Sequence, residues 1–379
     1  MPLYIDIMNQ LSAEITAGKY RPESSLPSER ELCLRFNTSQ KSIRNALFHL
    51  QEKGYIYKKR GSGSFVRQDS RRSSIINLGV AINYSPDRPA VNILSNPYFS
   101  QILKGVNRAA AENQANVSMF IYDETEEISE RSFTGYRLDG LLNFQSTVSD
   151  ALNKYLVEHG AKVVSTANSF QMDRYNGKYA HPCIVNDYLY GIEQALKFYL
   201  DNANKHFGFF ANAIHGLSNY ELYKKVFSRN NAKFDVKHTV IYPDTGDTSH
   251  FVRERAEYFA RALFGSAIPD VIFSDGDFIV SEIIAFLLET KDGRNILDKV
   301  RFCTIGVPEL TPKLKCDNNI DYVIPQNEKL GEEAALKLIE FIKNGSLPES
   351  RYYVPAVFVP ATTDINTYNR LLKNKEALS

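Results

Sequence analysis

The stretch "LPSERELCLRFNTSQKSIRNALFHLQEKGYIYKKRGSGSFV", residues 26–66, decides the fold of the N-terminal part of this 379-residue chain. Four of its apolar residues recur at the i, i+3, i+4, i+7 spacing of one helix face, namely Ile43, Ala46, Leu47 and Leu50. The opposite face is expected to meet solvent, and it carries no carboxylate before Glu52. A helix whose outer face offers hydrogen-bond donors without acids indicates a polyanionic partner.

Two further helices are predicted upstream of this one. The first is amphipathic and ends near Gly18; its apolar face is made by Ile5, Met8, Leu11 and Ile15. The second is short and begins at Ser28, because Ser28 and Glu31 have the S-x-x-E spacing of a capping box. It is expected to end at Asn37, a residue type that tolerates a left-handed turn.

The connection between the second and third helices is short, and Thr38 or Ser39 is placed to cap the third helix. Two helices joined by such a turn make a helix-turn-helix, whose second helix presents its N-terminal side chains to the DNA major groove. Tyr55–Lys59 and Ser64–Val66 then read as two strands joined by a glycine turn over Arg60–Gly63. The pattern predicts a basic two-stranded wing.

These motifs resemble the winged helix-turn-helix of the GntR family of bacterial regulators. The family's P-S-E-R-E-L is intact at Pro27–Leu32, and its G-x-G-[TS]-F-V wing pattern is intact at Gly61–Val66. The resemblance implies DNA contacts by Arg30 and Arg44 and a close approach of Gly63 to DNA. The full predicted DNA-binding set is Arg30, Ser39, Gln40, Lys41, Arg44, Asn45, Lys59, Arg60, Ser62 and Gly63.

Two positions depart from the family pattern. Gln40 stands where the recognition helix usually has Arg, and Asn45 stands where it usually has Glu. Because Arg favours guanine and Gln favours adenine, the operator is expected to differ from the common family site. The bland alternative for Arg30 is a solvated arginine paired with Glu29 or Glu31, and for Lys41 an ordinary surface lysine.

The distribution of charge and the spacing of the cysteines indicate what kind of partner and which cellular compartment to expect. The chain has 45 Lys/Arg and 44 Asp/Glu, but residues 1–72 hold 13 Lys/Arg against 7 Asp/Glu, a balance of +6 that leaves −5 for the rest. The four cysteines are far apart without a CxxC pair, which favours a reducing cytoplasm. The first 15 residues lack a signal-peptide pattern, and no apolar run reaches 18 residues, so we expect neither secretion nor a membrane span.

The domain organisation is predicted from a change in the pattern of apolar and polar residues along the chain. Residues 1–67 form the head, residues 68–75 read as a polar linker, and residues 76–379 form the body. In the body, about ten continuous apolar strands alternate with helical stretches, which predicts α/β structure with parallel sheets. This number of strands is larger than one small doubly wound sheet contains. Two α/β subdomains with a cleft between them are therefore expected.

The body resembles the sugar-binding effector domain of LacI/GalR repressors, which has the type 1 periplasmic binding protein fold. The resemblance rests on the order of "NPYF" (96–99), "LDGLL" (138–142), "VNDYLYG" (185–191), "PDVIFSDGD" (269–277), "TIG" (304–306) and "LGEEAALKLIEFI" (330–342). A GntR-type head on such a body is the arrangement of arabinose repressors of the AraR type. That likeness implies a monosaccharide effector.

Effector-binding residues are expected where parallel strands end, since ligands of open α/β sheets bind there. Sugars need aromatic rings and hydroxyl-pairing side chains. The predicted set is Tyr84, Asn96, Tyr98, Phe99, Phe144, Asn168, Asp187, Tyr220, Asp277 and Gln326. Asp187 serves equally well as a helix cap and Phe99 as plain core, and several family signatures are altered, as at Ala167-Asn168 and Pro325-Gln326.

The predicted function is therefore a cytoplasmic, homodimeric transcription repressor of carbohydrate-utilisation genes, with operator DNA and a small sugar as partners. No catalytic, metal or cofactor site is expected, because the seven histidines lack metal spacing and no P-loop, H-E-x-x-H or G-x-S-x-G motif occurs. Three alternatives stay open: a purine or nucleoside effector, a GntR head fused to a pyridoxal-phosphate enzyme, and a pure ligand-binding protein.

Overall fold

The computed structural model describes residues 3–59, 61–67, 75–84, 97–123, 138–144, 162–170, 181–242, 252–264, 267–307 and 320–361. The helices of these ranges are α1 (Leu3–Thr16), α2 (Glu29–Phe36), α3 (Gln40–Glu52), α4 (Pro97–Glu112), α5 (Tyr188–Asp201), α6 (Ala213–Arg229), α7 (Val252–Phe264), α8 (Asp277–Leu288), α9 (Gly293–Leu297) and α10 (Asn327–Asn344).

The strands of the same ranges are β1 (Ile56–Lys59), β2 (Gly63–Val66), β3 (Asn77–Tyr84), β4 (Asn116–Asp123), β5 (Gly140–Phe144), β6 (Lys162–Asn168), β7 (Cys183–Asp187), β8 (Phe207–Asn212), β9 (Phe234–Tyr242), β10 (Val271–Ser274), β11 (Arg301–Ile305), β12 (Ile320–Ile324), β13 (Arg351–Pro355) and β14 (Val357–Val359).

The head is a three-helix unit with a two-stranded wing, as the sequence predicts. The predicted apolar faces of α1 and α3 are buried in one core, which also takes Leu32 from α2 and Ile56 and Val66 from the wing. Because α1, α2, α3 and the wing all contribute to this core, the wing is held against the helices by apolar burial.

Local capping chemistry sets the ends of α2 and the start of α3. Ser28 Oγ accepts from the Glu31 N–H at 3.3 Å, and Glu31 Oε2 accepts from the Ser28 N–H at 2.7 Å, which completes the predicted capping box. Asn37 ends α2 with φ 47° and ψ 51°, the left-handed conformation. Of the two predicted caps for α3, Ser39 is the one whose side chain accepts from the Ser42 N–H. The helix-turn-helix geometry is thus encoded within a few residues.

The wing strands β1 and β2 pair antiparallel, with Lys59 opposite Gly63. The first strand begins at Ile56, one residue later than predicted, and the second begins at Gly63, one residue earlier. Gly61 and Gly63 have φ values of 77° and 103°, which side chains with a Cβ rarely adopt. The predicted glycine turn is therefore required by the backbone.

The body has two six-stranded sheets, and the predicted α/β class is confirmed. The first has the order β13-β7-β6-β5-β3-β4, and the second has the order β14-β12-β11-β10-β8-β9. The recorded pairings are parallel except that of β12 with β14. Twelve body strands in the described ranges slightly exceed the ten or so that the apolar runs predict.

The chain divides into two compact units. The first comprises Met1–Ala90, Asn107–Val164 and Ala335–Pro348, and it contains the head and strands β3, β4 and β5. The second comprises Val91–Val106, Ser165–Ala334 and Glu349–Ser379, and it contains the second sheet. The division into 1–67, 68–75 and 76–379 stays a prediction, and most of the predicted linker lies outside the described residues.

The second unit has an aromatic core around its own sheet. Phe207, Phe209, Tyr223, Phe227 and Phe273 are each fully buried within one cluster. Ring pairs at centroid distances of 5.0–5.5 Å, such as Phe209–Tyr223 and Phe207–Phe227, add geometric specificity to this burial. Within the described ranges, no helix is long and apolar enough to cross a membrane.

Candidate nucleic-acid interface and effector residues

The recognition helix α3 separates its buried and exposed faces cleanly. From its start to Phe48 the exposed residues are Gln40, Lys41, Arg44, Asn45 and Phe48, and the first turn contains no acid; the exposed Glu52 is the last residue of the helix. This is the outer face that the apolar spacing predicts. Amide, ammonium and guanidinium groups on one solvent-facing stripe can donate to base edges and phosphates.

Arg44 does not extend freely into solvent. Its Nε donates to Glu29 Oε2 at 2.9 Å, and Gln40 Nε2 donates to the same oxygen at 3.0 Å. Burial raises the pKa of the Glu29 carboxyl, but the hydrogen bonds from Arg44 and Gln40 outweigh it, so the pKa lies below its usual value. The sequence pattern indicates Glu29 only as a possible partner of Arg30 and gives no sign of its bonds to α3.

Arg30 is exposed and, within the described residues, pairs with neither neighbouring glutamate. Glu29 accepts from α3, and Glu31 closes the capping box. Of the alternative of a solvated Arg30 paired with Glu29 or Glu31, the structure therefore shows the solvent exposure and, within the described residues, not the pairing. Its side chain is available on the same domain that exposes Arg44.

The wing carries a cation supported by aromatic rings. Lys59 Nζ lies 4.7 Å from the Phe65 ring centroid and 5.5 Å from that of Tyr57, a cation–π arrangement. Ser62 and Gly63 are exposed at the tip, and Arg60 lies outside the described residues.

A groove of about 550 Å³ runs between the wing and the start of α2. Its lining includes Lys58, Lys59 and the tip residues Gly61–Ser64 on one side and Ser25–Glu29 on the other. A donor-rich exposed helix beside a basic wing defines the class of the head: it is a winged helix-turn-helix, the architecture that places one helix in a DNA groove.

Comparisons with known proteins give the family of this domain. Residues 3–66 match the family described as "Bacterial regulatory proteins, gntR family". The chain is 24% identical over 205 residues to the uncharacterized HTH-type transcriptional regulator YurK of Bacillus subtilis (strain 168), covering 51% of this chain and 84% of that protein. It is 28% identical over 89 residues to the arabinose metabolism transcriptional repressor of Geobacillus stearothermophilus, 23% of this chain but only 24% of that repressor.

Solved structures match over most of the chain. The transcriptional regulator CelR–cellobiose complex has a TM-score of 0.55 at 16% identity, covering 84% of this chain and 89% of that one. The lac repressor dimer bound to operator and the anti-inducer ONPF has a TM-score of 0.55 at 11% identity, covering 75% and 92%. The body therefore has the fold of the LacI-type effector domain.

The chain is accordingly a DNA-binding transcription regulator that joins a gntR-type head to a LacI-like body. The relatives and structures above are regulators, in agreement with the prediction that this chain is not an enzyme.

The predicted effector residues fall into three groups. The first group is Tyr84, Asn96 and Asp277, whose side chains lie outside the described part of the structure. Asn96 lies outside the described residues, and Tyr84 is the last residue of β3. Asp277 begins α8, with Gly276 at its N-cap, so the expectation that Asp277 ends a strand is wrong. The strand β10 stops at Ser274 because the chain turns into the helix over the next two residues.

The second group is aromatic. Phe99 and Phe144 are 3% and 1% exposed, and Tyr98 is half-buried. Tyr220 is also half-buried, and its ring centroid lies 5.2 Å from that of Phe209. Burial of these side chains is as typical of core residues as of residues that line a pocket, so their effector role remains a prediction.

The third group is polar and has local hydrogen bonds. Asp187 Oδ1 accepts from the Tyr190 N–H at 3.2 Å, so Asp187 is the N-cap of α5. Asn168 Oδ1 accepts from the Phe170 N–H at 3.0 Å, and the Gln326 carbonyl accepts from the Leu330 N–H at 2.8 Å. These bonds involve residues outside the predicted set, so they do not bring that set together.

One polar pair near these positions is not in the predicted set, although the position after a strand points to Asp275 as well as to Asp277. Asp275, in the turn after β10, accepts at Oδ2 from Asn219 Nδ2 of α6 at 2.9 Å. Burial raises the pKa of Asp275 to about 6, despite the opposing effect of the Asn219 hydrogen bond. Its place directly after a strand was visible in the sequence, but its burial was not.

Proposed function

We propose that the chain is a homodimeric, cytoplasmic repressor that reads operator DNA with its head and releases or binds it in response to a small sugar. The observation that carries the DNA-reading part is the exposed face of α3, where Gln40, Lys41 and Arg44 stand opposite a fully buried apolar face. The ten predicted DNA-binding residues are its proposed contact set.

The DNA contact is tested by selecting bound duplexes from a randomised library and measuring their affinity by fluorescence anisotropy. Arg44→Ala is the test variant. Arg261→Ala is its matched control, because Arg261 is also exposed and also pairs with a glutamate, Glu257, but lies in the body. Failure of the wild-type chain to select any sequence would overturn the proposal.

The effector proposal rests on the LacI-like fold, on the cellobiose in the CelR complex and on the name of the arabinose repressor. The Asn219–Asp275 pair supports it, since an amide and a carboxylate are groups that pair with sugar hydroxyls. Carbohydrate-utilisation genes are then the proposed targets.

A thermal-shift panel separates the sugar from the purine alternative. Arabinose, other pentoses, hexoses and cellobiose form one arm, and adenosine, guanosine and free purines form the other. We expect stabilisation by one sugar and loss of that shift in Asp275→Asn, with Asp298→Asn as an exposed aspartate control. Stabilisation by purines alone would replace the sugar assignment.

Dimerisation is proposed because two heads reading two half-sites give a near-palindromic operator the affinity that one head lacks. The lac repressor structure is a dimer on its operator. Analytical ultracentrifugation at micromolar concentration tests this directly, and a monomer that binds a single half-site with full operator affinity would overturn it.

A further inference from the structure

A single oxygen atom holds two side chains of the recognition helix. Glu29 Oε2 accepts from Gln40 Nε2 at 3.0 Å and from Arg44 Nε at 2.9 Å. Glu29 is the first residue of α2, whose N-terminus is fixed by the Ser28–Glu31 capping box. The carboxylate is therefore presented to α3 from a rigid position across the helix-turn-helix.

The donors that Glu29 occupies are not the ones that Arg44 needs to read a base. A guanidinium reads guanine by donating from two of its nitrogens to O6 and N7. Arg44 gives only its Nε to Glu29, and within the described residues its terminal Nη1 and Nη2 have no protein partner. The bond to Glu29 thus orients the guanidinium and leaves two nitrogens for guanine.

Gln40 likewise keeps the hydrogen-bonding groups that it needs to read a base. A glutamine side chain has two N–H donors and one carbonyl acceptor, and it reads adenine with one of each. Gln40 gives one N–H to Glu29, which leaves its second N–H and its Oε1. Both side chains therefore keep a bidentate pair while their rotamers are held by one carboxylate.

Holding these side chains has a cost and a benefit for binding. Arg and Gln lose rotamer freedom when they bind a base, and a partner that orders them beforehand removes part of that loss from the binding step. The carboxylate also repels nearby phosphates, which lowers affinity for any DNA equally. The two effects differ in sequence dependence, and so they can be separated.

We propose that Glu29 is a positioning residue that holds Gln40 and Arg44 as one base-reading unit. Residues four apart on a helix lie about 5–6 Å from each other, and base pairs are stacked about 3.4 Å apart. The unit therefore reads an adenine and a guanine one or two base steps apart. This inference rests on the proposed DNA-reading function and specifies how it discriminates.

The test compares Glu29→Ala with Asp6→Asn in the full-length chain. Both remove one negative charge from the head, but Asp6 lies exposed in the first turn of α1 and, within the described residues, has no hydrogen bond or ion pair to α3. Anisotropy is measured on the duplex selected by the wild type, on that duplex with the adenine or guanine replaced, and on unrelated DNA. If the wild type selects no sequence, the DNA-reading function itself fails, which is a distinguishable result.

We expect Glu29→Ala to reduce discrimination between the selected and base-replaced duplexes by about 5–20-fold, while affinity for unrelated DNA stays level or rises. Asp6→Asn should leave discrimination unchanged. Glu29→Gln keeps an acceptor oxygen and should recover part of the discrimination. In a Gln40→Ala, Arg44→Ala background, Glu29→Ala should have no further effect on discrimination, because nothing is left to position.

Two outcomes would overturn the proposal. Equal changes in affinity for all duplexes would mean that Glu29 acts through charge alone. Unchanged discrimination in Glu29→Ala, with thermal midpoints matched to the wild type, would mean that its bonds to α3 are only structural.

Discussion

Asn219 Nδ2 and Asp275 Oδ2 are joined by a 2.9 Å hydrogen bond between α6 and the turn after β10. Burial nevertheless raises the pKa of Asp275 to about 6, above its ordinary value of 3.8. A carboxyl whose folded pKa is raised contributes stability below its unfolded pKa and loses that contribution as pH rises through the folded value. At neutral pH the folded protein therefore holds the Asp275 carboxylate ionised, at a cost in stability.

Removing that charge should stabilise the protein. We expect Asp275→Asn to raise the free energy of unfolding at pH 7.5 by about 1–2 kcal/mol, since one pKa unit corresponds to about 1.4 kcal/mol and residual solvent access reduces the effect. Thermal midpoints at pH 7.5 and pH 4.5 measure it, with Asp298→Asn as control. The gain should shrink at pH 4.5, and an equal gain at both values would refute the electrostatic explanation.

Arg44 should matter for DNA affinity and little for folding. Its side chain is 60% exposed, and exposed ion pairs contribute about 0.2–1 kcal/mol to stability. A bidentate base contact, by comparison, contributes about 1–3 kcal/mol. Arg44→Ala should lose that amount on the selected duplex in anisotropy while its thermal midpoint stays near that of the wild type. An unfolded head in Arg44→Ala would mean that the residue is structural.

Glu14 joins α1 to α2 through Arg35 and also accepts from Lys19. The hydrogen bond from Arg35 is the main reason why the pKa of Glu14 falls from 4.5 to about 2. A depressed carboxyl pKa contributes stability that is present above pH 4.5 and is lost as pH falls towards 2.

We therefore expect Glu14→Gln to weaken the head by about 0.5–1 kcal/mol near neutrality, the range for partly exposed pairs. Hydrogen exchange of α1 and α2 amides measures this, referred to wild type at the same pH. The difference should shrink as the labelling pH is lowered from 6.5 to 3.5. Lys224→Met removes an exposed ion pair with Glu221 in the body and serves as the control.

Gly105 of α4 and Gly331 of α10 let two helix backbones touch. A Cβ on Gly331 would lie 2.0 Å from the Ile102 carbonyl oxygen, and one on Gly105 would lie 1.9 Å from that of Glu328. Gly331→Ala should therefore destabilise the protein by about 3 kcal/mol, the upper range for overpacking. Urea unfolding measures this. Gly276→Ala is the matched control, because a Cβ there meets nothing within 4 Å; an equal loss in both variants would contradict the steric argument.

The sequence alone determined those features that depend on neighbours along the chain. The capping box joins Ser28 to Glu31, three positions apart, and the left-handed turn at Asn37 follows from one residue type, so the helix-turn-helix was readable. The 3.6-residue period identified the buried face of α3, and the alternation of apolar strands with helices indicated the α/β body. Each of these signals is local, because a helix or strand repeats its own geometry.

Only the tertiary structure decided what distant segments do to one another. Glu29 lies 15 residues from Arg44, and no periodicity links the two until α2 and α3 pack together. The pKa of Asp275, the start of α8 at Asp277 and the backbone contact at Gly331 likewise depend on which segments surround them. Burial, desolvation and steric exclusion are properties of a three-dimensional neighbourhood, and a linear pattern specifies only which residues are able to enter it.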